Sequence, residues 1–324
     1  MITVLAGGTG SVKIIRGLAS RSSKDLTIVS NVGDNIWLHG LYICPDVDTV
    51  LYGLAGILSE RGWGIKNDSF CFLDQMEQLQ QDVWFKLGDR DIATHLLRTA
   101  LIYQGRNLTE ITKWMAEKYS VSEKIYPATD NQLETVIVTD QGPMHIQEFW
   151  VKHQGNPAVR DIFYKGAESS TANPNLLNSL KNSELIVIAP ANPISSINPI
   201  LKVNEIGELL TKLRKKVVAI SPLIGEQAIS GPAVKYMKAM NLTDSPLGVA
   251  AFYSDMVGNF IIDSPLGVAA YYSDIVGNFI IDSSDSILSS KIASLDMNVF
   301  QTDIIMKDPR DEMRLASYVK SLPF

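Results

Sequence analysis

Carboxylates and amides are concentrated in two neighbouring stretches of the chain, 30–40 and 44–52. The first carries Asp34, and the second carries Asp46 and Asp48, two residues apart at a predicted helix start. Aspartates at that place often cap the helix. Asp34 together with Asp46 or Asp48 could instead hold Mg²⁺, which takes one or two carboxylates with phosphate oxygens and water. The spacing alone leaves helix capping and metal binding equally open.

A glycine-rich loop with a nearby cation is the second chemical feature. It consists of Gly7, Gly8, Thr9 and Gly10, and Lys13 follows in a helical pattern. Glycines let the backbone approach a phosphate closely, and a helix N-terminus offers free N–H groups. The loop is neither a Walker A motif nor a full dinucleotide fingerprint, because Lys13 stands where the third glycine belongs. We therefore expect a diphosphate site here, with a tight turn that binds no ligand as the alternative.

Charged residues recur at helical spacing further along the chain, at Asp89, Arg90, Asp91, His95 and Arg98. Arg90 and Arg98 could clamp phosphates, since arginine binds oxyanions with two parallel hydrogen bonds. A helix start stabilised by ion pairs four residues apart would have the same spacing. From spacing alone, the second interpretation is favoured.

Polar loops late in the chain are candidates for ligand contact. Asn192, Ser195 and Ser196 lie in one of them, and 221–225 and 229–233 form two more. Each is an ordinary turn by composition. Because they follow predicted strands, we expect them to face a nucleotide base and ribose.

The elements that must position these residues follow a strand–helix–strand pattern. Apolar runs at 2–6 and 26–31 flank the glycine loop and its helix, and further buried strands are predicted at 185–189 and 216–220. This alternation predicts a parallel sheet. Ligands bind such sheets at the carboxyl ends of the strands.

The middle of the chain has a different pattern. Helical spacing extends from about 74 to 120, and strand-like alternation follows at Glu134–Thr139 and Met144–Phe149. We interpret the alternating stretch as a small subdomain inserted into the parallel sheet domain.

The predicted fold class is therefore α/β, a Rossmann-like parallel sheet core with a small inserted α+β subdomain. The core comprises 1–125 and 180–324, and the insertion comprises 126–179. One tandem repeat is present, since 245–263 recurs as 264–282 with two differences. Two units are too few for a solenoid. The sequence does not indicate which copy occupies the core.

Composition excludes several classes of protein. The 324 residues carry a net charge of −6, so the basic footprint of a nucleic-acid-binding protein is missing. No apolar window reaches the 18 residues of a membrane span, and the N-terminus lacks the basic lead-in of a signal peptide. The two cysteines, Cys44 and Cys71, form no CxxC pair. We expect a cytoplasmic protein without a disulfide framework.

Taken together, these motifs resemble the 2-phospho-L-lactate transferase family of coenzyme F-420 biosynthesis. The matching stretches are GGTGSVKIIRGL (7–18), SNVGDNIWLHGLYICPDVDTVLYGLAG (30–56), RGWGIKNDSF (61–70), KLGDRDIATHLLR (86–98), APANPISSINPIL (189–201) and ISPLIGEQAISGPA (220–233). The combination of PDVDTVLY with LGDRDIATH is the specific part of the match.

The resemblance implies a Mg²⁺-dependent transfer by a cytoplasmic homodimer. A phospholactyl or phosphoenolpyruvyl group passes from a guanosine diphosphate-linked donor to the deazaflavin Fo. GMP is released, and F-420-0 or its dehydro form results. Asp34 and Asp48 would hold the metal, and Asp46 or Asp48 would orient or deprotonate the attacking hydroxyl.

The resemblance also suggests which residues flank the two substrates. Those beside the deazaflavin would be Trp37, His39, Thr49, Asp89 and Arg90. Those beside the guanosine would be Asn192, Ser195 and Ser196. Two alternatives remain: a related regulator that binds nucleotide sugars without transfer, and an NAD(P)-dependent dehydrogenase. Asn31 weighs against the dehydrogenase, because an acidic residue belongs at the end of its second strand.

Overall fold

A seven-stranded parallel sheet forms the centre of the protein. The computed structural model describes residues 1–20, 25–224, 227–228, 236, 239, 245 and 275–323. The strands are β1 (Ile2–Ala6), β2 (Leu26–Ser30), β3 (Ile36–Leu38), β4 (Leu41–Ile43), β5 (Lys124–Pro127), β6 (Glu134–Thr139), β7 (Gly142–His145), β8 (Val159–Lys165), β9 (Leu185–Ile188), β10 (Val217–Ile220), β11 (Leu223–Ile224), β12 (Gln227–Ala228), β13 (Asn278–Asp282) and β14 (Asn298–Thr302). The order in the large sheet is β14-β13-β10-β9-β1-β2-β5, and all its neighbours are parallel.

Helices cover both faces of this sheet. They are α1 (Gly8–Ala19), α2 (Pro45–Leu54), α3 (Cys71–Gln78), α4 (Asp89–Tyr103), α5 (Leu108–Lys118), α6 (Pro174–Asn182), α7 (Asn198–Leu201), α8 (Ile206–Lys212), α9 (Ser289–Ala293) and α10 (Pro309–Ser321). Leu5 and Val29 point into one apolar cluster, and Val4 and Ile28 point into another. A strand buried on both faces is apolar at successive positions, which explains the uninterrupted runs in the sequence. Within the described residues, no helix is long and apolar enough to span a membrane.

The four strands predicted from apolar runs are confirmed as β1, β2, β9 and β10. The helical stretch predicted from about 74 to 120 contains α3, α4 and α5. The strand predicted over Met144–Phe149 was wrong in its second half. β7 ends at His145, and Glu148–Lys152 form a π-helical turn with Phe149 fully buried.

A second, antiparallel sheet lies between β5 and α6 along the chain. Its order is β7-β6-β8, and Val136 of β6 pairs with His145 of β7. All three strands fall inside the predicted 126–179 insertion. The hairpin of β3 and β4 lies separately, directly before α2.

The second copy of the tandem repeat supplies a strand of the large sheet. Its last five residues, Asn278–Asp282, form β13 between β10 and β14, and all five are buried. The equivalent residues of the first copy, 259–263, lie outside the described residues. The sheet is therefore completed by the C-terminal end of the 264–282 copy.

Candidate active site

Three loops meet at the carboxyl ends of the neighbouring strands β9, β1 and β2. A Cβ atom placed on Gly7, after β1, would lie 2.5 Å from the Cβ of Ser196, after β9. A Cβ on Gly10 would overlap the carbonyl oxygen of Pro190. Gly8 has a φ of +69°, a left-handed conformation that glycine adopts without strain. Close packing of the loops and the backbone conformation of Gly8 therefore account for these glycines.

Asn31 joins the loop after β2 to the start of α2. Its Nδ2 group lies 2.8 Å from Oδ1 of Asp34 and 2.9 Å from Oδ2 of Asp46. A side-chain amide carries two N–H donors, so one residue can hold both carboxylates. Its Oδ1 accepts a hydrogen bond from the N–H of Gly33 at 2.8 Å, which fixes the amide orientation. Asn31 thus keeps two acidic side chains next to each other.

Asp46 connects this pair to the glycine loop. Its Oδ1 accepts a hydrogen bond from the backbone N–H of Gly8 at 2.7 Å. Asp46 itself lies in the first turn of α2, and Gly8 is the first residue of α1. The positive ends of two helix dipoles therefore lie close to one carboxylate, which favours its charged form.

Asp34 and Asp46, the carboxylate pair, have no neighbouring positive charge among the described residues that would balance theirs. Burial and then the charge of Asp46 raise the pKa of Asp34 well above its usual range. Burial raises the pKa of Asp46 to about 6, against the opposing effect of the hydrogen bonds from Asn31 and Gly8. Among the ion pairs of the described residues, none involves Asp34 or Asp46.

This deficit of positive charge fits a divalent cation. No group of three or more His, Cys, Asp or Glu residues suited to a metal occurs in the described part of the chain. A two-carboxylate site is compatible with Mg²⁺, because Mg²⁺ usually takes its remaining ligands from phosphate and water. The side chains present therefore fit Mg²⁺ bound together with a phosphorylated substrate.

The inserted sheet holds the Asp34 loop from the other side. Gln147 donates from Nε2 to Oδ2 of Asp34 at 3.2 Å. His145 donates from Nε2 to the carbonyl oxygen of Asn35 at 3.1 Å, while its Nδ1 accepts from the N–H of Gln147 at 3.1 Å. Only a neutral imidazole protonated on Nε2 makes both bonds. Burial lowers the pKa of His145, which favours that neutral form.

Asp48 lies in a separate, fully buried charge network. The Arg98 guanidinium donates to both of its carboxylate oxygens, with Nη1 3.0 Å from Oδ2. His95 lies between Asp48, 3.6 Å from Nδ1, and Asp91, 3.3 Å from Nε2. Arg98 is 1% exposed and Tyr52 donates to Asp91 at 2.7 Å, so the network is closed to solvent. The structure brings Asp46, and not Asp48, into contact with Asn31.

Two residues near the glycine loop have defined protein partners. Lys13 donates from Nζ to the carbonyl oxygen of Met306 at 2.7 Å. Thr9 packs against Gly62, where an added Cβ would overlap the threonine methyl group. The loop therefore lies under the 61–64 segment, and Lys13 connects α1 to the C-terminal part of the chain.

Asp89 and Arg90 lie at the start of α4. Asp89 accepts hydrogen bonds from the N–H groups of Cys71 at 3.0 Å and Phe72 at 2.9 Å, at the N-terminus of α3. Arg90 is exposed, and its Nη1 donates to the carbonyl oxygen of Lys66 at 3.3 Å. In the structure Asp89 stabilises a helix start, whereas the Arg90 guanidinium faces solvent.

The β3–β4 hairpin presents an aromatic side chain. Trp37 is 45% exposed, and its ring centroid lies 4.9 Å from that of Tyr42. His39 and Gly40 form the two-residue turn, with φ angles of +52° and +76° as a type I′ hairpin turn requires. The Nε2 atom of His39 is buried and has no hydrogen-bond partner among the described residues. Thr49 is buried in α2.

The loop after β9 is ordered by its own amide. Asn192 accepts from the N–H groups of Ile194 at 3.0 Å and Ser195 at 3.2 Å. Ser195 and Ser196 are buried, and the Ser195 carbonyl lies 3.3 Å from Nδ2 of Asn31. The loop predicted at 229–233 lies outside the described residues.

Sequence reasoning missed Asn31, His145 and Gln147. Asn31 could have been found, since it is the first polar residue after β2, at the ligand-binding edge of the sheet. His145 and Gln147 gave no such signal, because they lie more than a hundred residues from Asp34 and act through the fold.

Comparison with known proteins identifies the family. The sequence model of 2-phospho-L-lactate transferase CofD matches residues 2–299. A 2-phospho-L-lactate transferase of Methanospirillum hungatei is 38% identical over 263 residues, 81% of this chain and 88% of the relative. One of Methanopyrus kandleri is 36% identical over 324 residues, 98% of this chain and 96% of the relative.

Solved structures agree on the fold. A UPF0052 family protein of Bacillus halodurans has a TM-score of 0.59 at 15% identity, covering 99% of this chain and 98% of that one. A further B. halodurans crystal structure gives a TM-score of 0.62 at 14% identity, with 99% of both chains covered. At this identity the likeness concerns the fold alone.

The parallel α/β fold and the sequence relatives together define a transferase. The chain belongs to the 2-phospho-L-lactate transferase CofD family. The family and enzyme class expected from the sequence are both confirmed.

Proposed function

We propose that the protein transfers a phospholactyl or phosphoenolpyruvyl group from a guanosine diphosphate-linked donor to a hydroxyl of the deazaflavin Fo. GMP leaves, and F-420-0 or its dehydro form is produced. The observation that carries this proposal is the Asp34–Asp46 pair, bridged by Asn31 and bonded to the N-terminus of the glycine-loop helix. A divalent cation is complementary to such a pair, and it would carry the donor diphosphate to the site with it.

Asp34 and Asp46 are the metal ligands in this proposal, with Mg²⁺ as the cofactor. Asp46 replaces the Asp48 expected from the resemblance, because Arg98 already occupies the Asp48 carboxylate. When bound, Mg²⁺ would offset negative charge on the donor diphosphate. The choice of two carboxylates leaves coordination positions for phosphate oxygens and water.

The other groups bind and orient the reactants. The N–H groups in the first turn of α1 have no intrahelical partners and favour a phosphate. Asn31 and Gln147 fix the directions of the carboxylates. An acceptor hydroxyl attacks the phosphorus next to the three-carbon group, the new O–P bond forms, and the bond to the GMP oxygen breaks.

The hydroxyl proton passes to the Asp34–Asp46 pair. Burial raises the pKa of both carboxyls, which makes the pair more basic than exposed aspartates and better suited to accept a proton. We assign this role to the pair as a unit, since neighbouring carboxylates titrate together.

The remaining substrate contacts follow the resemblance. Trp37, His39, Thr49, Asp89 and Arg90 are proposed to flank the deazaflavin. Asn192, Ser195 and Ser196 are proposed to flank the guanosine, a role supported by the contact of Ser196 with Gly7. A cytoplasmic homodimer completes the proposal.

The test is a turnover assay with the full chain, Fo, Mg²⁺ and separately prepared lactyl, enolpyruvyl and glyceryl guanosine donors. GMP release and product mass are followed. Asp34→Asn and Asp46→Asn should each lower turnover at least about a hundredfold, since each removes one of two metal carboxylates. Asp82→Asn is the control, because Asp82 is exposed and pairs with Lys152 on the surface.

Mg²⁺-dependent product from one donor would support the transfer and identify the three-carbon group. Absence of product from all three donors, with the chain folded, would overturn the proposed reaction. Turnover by Asp46→Asn equal to that of Asp82→Asn would remove Asp46 from the metal site.

A further inference from the structure

Residues 57–66 form a tight hairpin that directly follows α2 and has no part in the proposed function. The N–H of Ser59 donates to the Gly64 carbonyl at 3.0 Å, and the N–H of Gly62 donates to the Ser59 carbonyl at 2.9 Å. The second bond closes a four-residue turn over 59–62. The tip of the hairpin is therefore held by its own backbone hydrogen bonds.

This tip packs directly on the glycine loop. A Cβ atom placed on Gly62 would overlap the Thr9 methyl group and lie 3.2 Å from the Thr9 hydroxyl oxygen. Thr9 is the second residue of α1, whose first-turn N–H groups are proposed to bind phosphate. Arg61 precedes Gly62, and consecutive Cα atoms are about 3.8 Å apart, so the Arg61 Cα lies within about 9 Å of that hydroxyl. An extended arginine side chain at this place can reach a phosphate bound at the start of α1.

Arg61 carries a positive charge that no acidic side chain neutralises. It is exposed, and none of the ion pairs of the described residues involves it. Its guanidinium carbon lies 5.7 Å from the centroid of the Trp63 ring. An aromatic face attracts and orients a guanidinium without supplying a full negative charge. The arginines that pair with carboxylates instead are Arg16, Arg98, Arg214 and Arg314.

The proposed donor site needs such a cation. Asp34 and Asp46 each carry a negative charge when ionised, and each phosphate of a guanosine-linked diphosphate carries another. Bound Mg²⁺ would balance two of these charges, and the N-terminus of α1 is equivalent to about half a positive charge. Lys13 is already bonded to the Met306 carbonyl. The site is therefore still negative in total, and an arginine beside the glycine loop would balance part of the excess.

We propose that Arg61 binds the diphosphate of the donor, with Trp63 holding its guanidinium at the edge of the glycine loop. The inference rests on the proposed function, which supplies the diphosphate-linked donor. A guanidinium binds phosphate oxygens through two parallel N–H bonds, and it stays charged at every physiological pH. Arg61 thereby favours a donor with two phosphates and has no part in binding the acceptor.

The test measures binding of guanosine diphosphate (GDP) and of Fo separately, by titration calorimetry in buffer containing Mg²⁺. Arg61→Gln should weaken GDP about ten- to hundredfold, the usual effect of losing a hydrogen bond to a charged group, and should change Fo affinity less than about twofold. Arg61→Lys keeps the charge but not the paired bonds, so its loss should be smaller.

Arg106→Gln is the matched control. Arg106 is exposed, and it too is absent from the ion pairs of the described residues. It follows the C-terminal end of α4, whose 15 residues span about 22 Å from the end that carries Arg90 and Asp91. The hairpin contacts α4 at that other end, where Arg90 bonds to the Lys66 carbonyl.

Trp63→Ala distinguishes positioning of Arg61 from direct binding of the ligand by Trp63. The variant should weaken GDP about two- to fivefold, the effect expected for losing an exposed contact between a cation and an aromatic ring. In the Arg61→Gln background the same change should have no further effect, because Trp63 acts through the guanidinium. An equal loss in both backgrounds would overturn the positioning role of Trp63.

Equal GDP affinities in Arg61→Gln and Arg106→Gln would overturn the inference, as would failure of the wild-type chain to bind GDP. Urea unfolding of Arg61→Gln should match wild type, so that a loss of affinity reports on binding and not on folding. The turnover assay separates this inference from the proposed function. Transfer activity with unchanged GDP affinity in Arg61→Gln overturns the role of Arg61 alone. Selective loss of GDP affinity in that variant, without transfer by wild type, supports the role of Arg61 and overturns the reaction.

Discussion

Neutralising Asp46 should change the pH dependence of stability in a specific direction. Burial raises its pKa from 3.8 in an unfolded chain to about 6 in the folded one. Between those values the folded state binds more protons than the unfolded state, so stability falls as pH rises. The shift in pKa lowers the free energy of unfolding by about 3 kcal/mol between pH 4 and pH 7. Below about pH 4 this loss of stability is absent, because Asp46 is protonated in both states.

The Asp46→Asn variant isolates that contribution. An amide loses one hydrogen bond, because it cannot accept from both Gly8 and Asn31 as the carboxylate does. The pKa of about 6 already includes the effect of these hydrogen bonds, so the pH-dependent part of the difference between variant and wild type follows from the pKa alone. Relief of the repulsion on Asp34 acts in the same direction.

The assay is urea unfolding of both chains, without divalent cations, at several pH values from 4 to 7.5. Relative to wild type, Asp46→Asn should gain about 3 kcal/mol in free energy of unfolding as pH rises through this range. Mg²⁺ at a hundred times its dissociation constant should then stabilise wild type by about 2.7 kcal/mol at pH 7.5, and the variant far less. A difference that does not vary with pH would refute the reasoning, as would one that changes in the opposite direction.

Three further predictions concern residues around the site. Arg98→Met should lower the free energy of urea unfolding by about 3–5 kcal/mol, because Asp48 is left buried without its cation. Adding Asp48→Leu should recover part of this loss. A double variant whose loss equals the sum of the two single losses would contradict the prediction. Gly10→Ala should lower stability by about 1–3 kcal/mol in thermal unfolding, because the new methyl group meets the Pro190 carbonyl; an unchanged melting temperature would argue against the close loop contact. Lys13→Met should lower the free energy of unfolding by about 1–2 kcal/mol, because the hydrogen bond to the Met306 carbonyl is lost, and should change donor affinity less than about threefold. A tenfold loss of donor affinity would instead indicate that Lys13 binds the donor diphosphate.

The sequence predicted the elements whose pattern is local. β1, β2, β9 and β10 are buried on both faces, so each is a continuous apolar run that can be recognised without knowing its neighbours. The Met144–Phe149 alternation failed for the opposite reason. Phe149 is buried by the π-helical turn that follows β7, and an alternating pattern does not distinguish that burial from a strand face.

The sequence named Asp34, Asp46 and Asp48 as candidate residues, but it did not indicate which of them lie beside each other. Asp46 and Asp48 are two residues apart on one helix, and nothing local says which of them faces the glycine loop. Arg98 decides it, because its guanidinium takes Asp48 from fifty residues away and Asp46 is left for Asn31. Which aspartate lies beside Asn31 therefore depends on tertiary contacts, and the spacing of the residues in the sequence does not indicate it.

The structure also explains how two buried carboxylates are tolerated side by side. Asp46 receives an N–H from the start of α1 while it lies in the first turn of α2, so two helix N-termini lower the cost of its charge. Asn31 supplies a donor to each carboxylate, and Gln147 supplies one more to Asp34. None of these donors carries a full positive charge, and the pKa of both groups is still raised. A lysine or arginine in place of these donors would neutralise the pair permanently. Neutral donors hold the two carboxylates in position and leave their negative charge available for the proposed Mg²⁺.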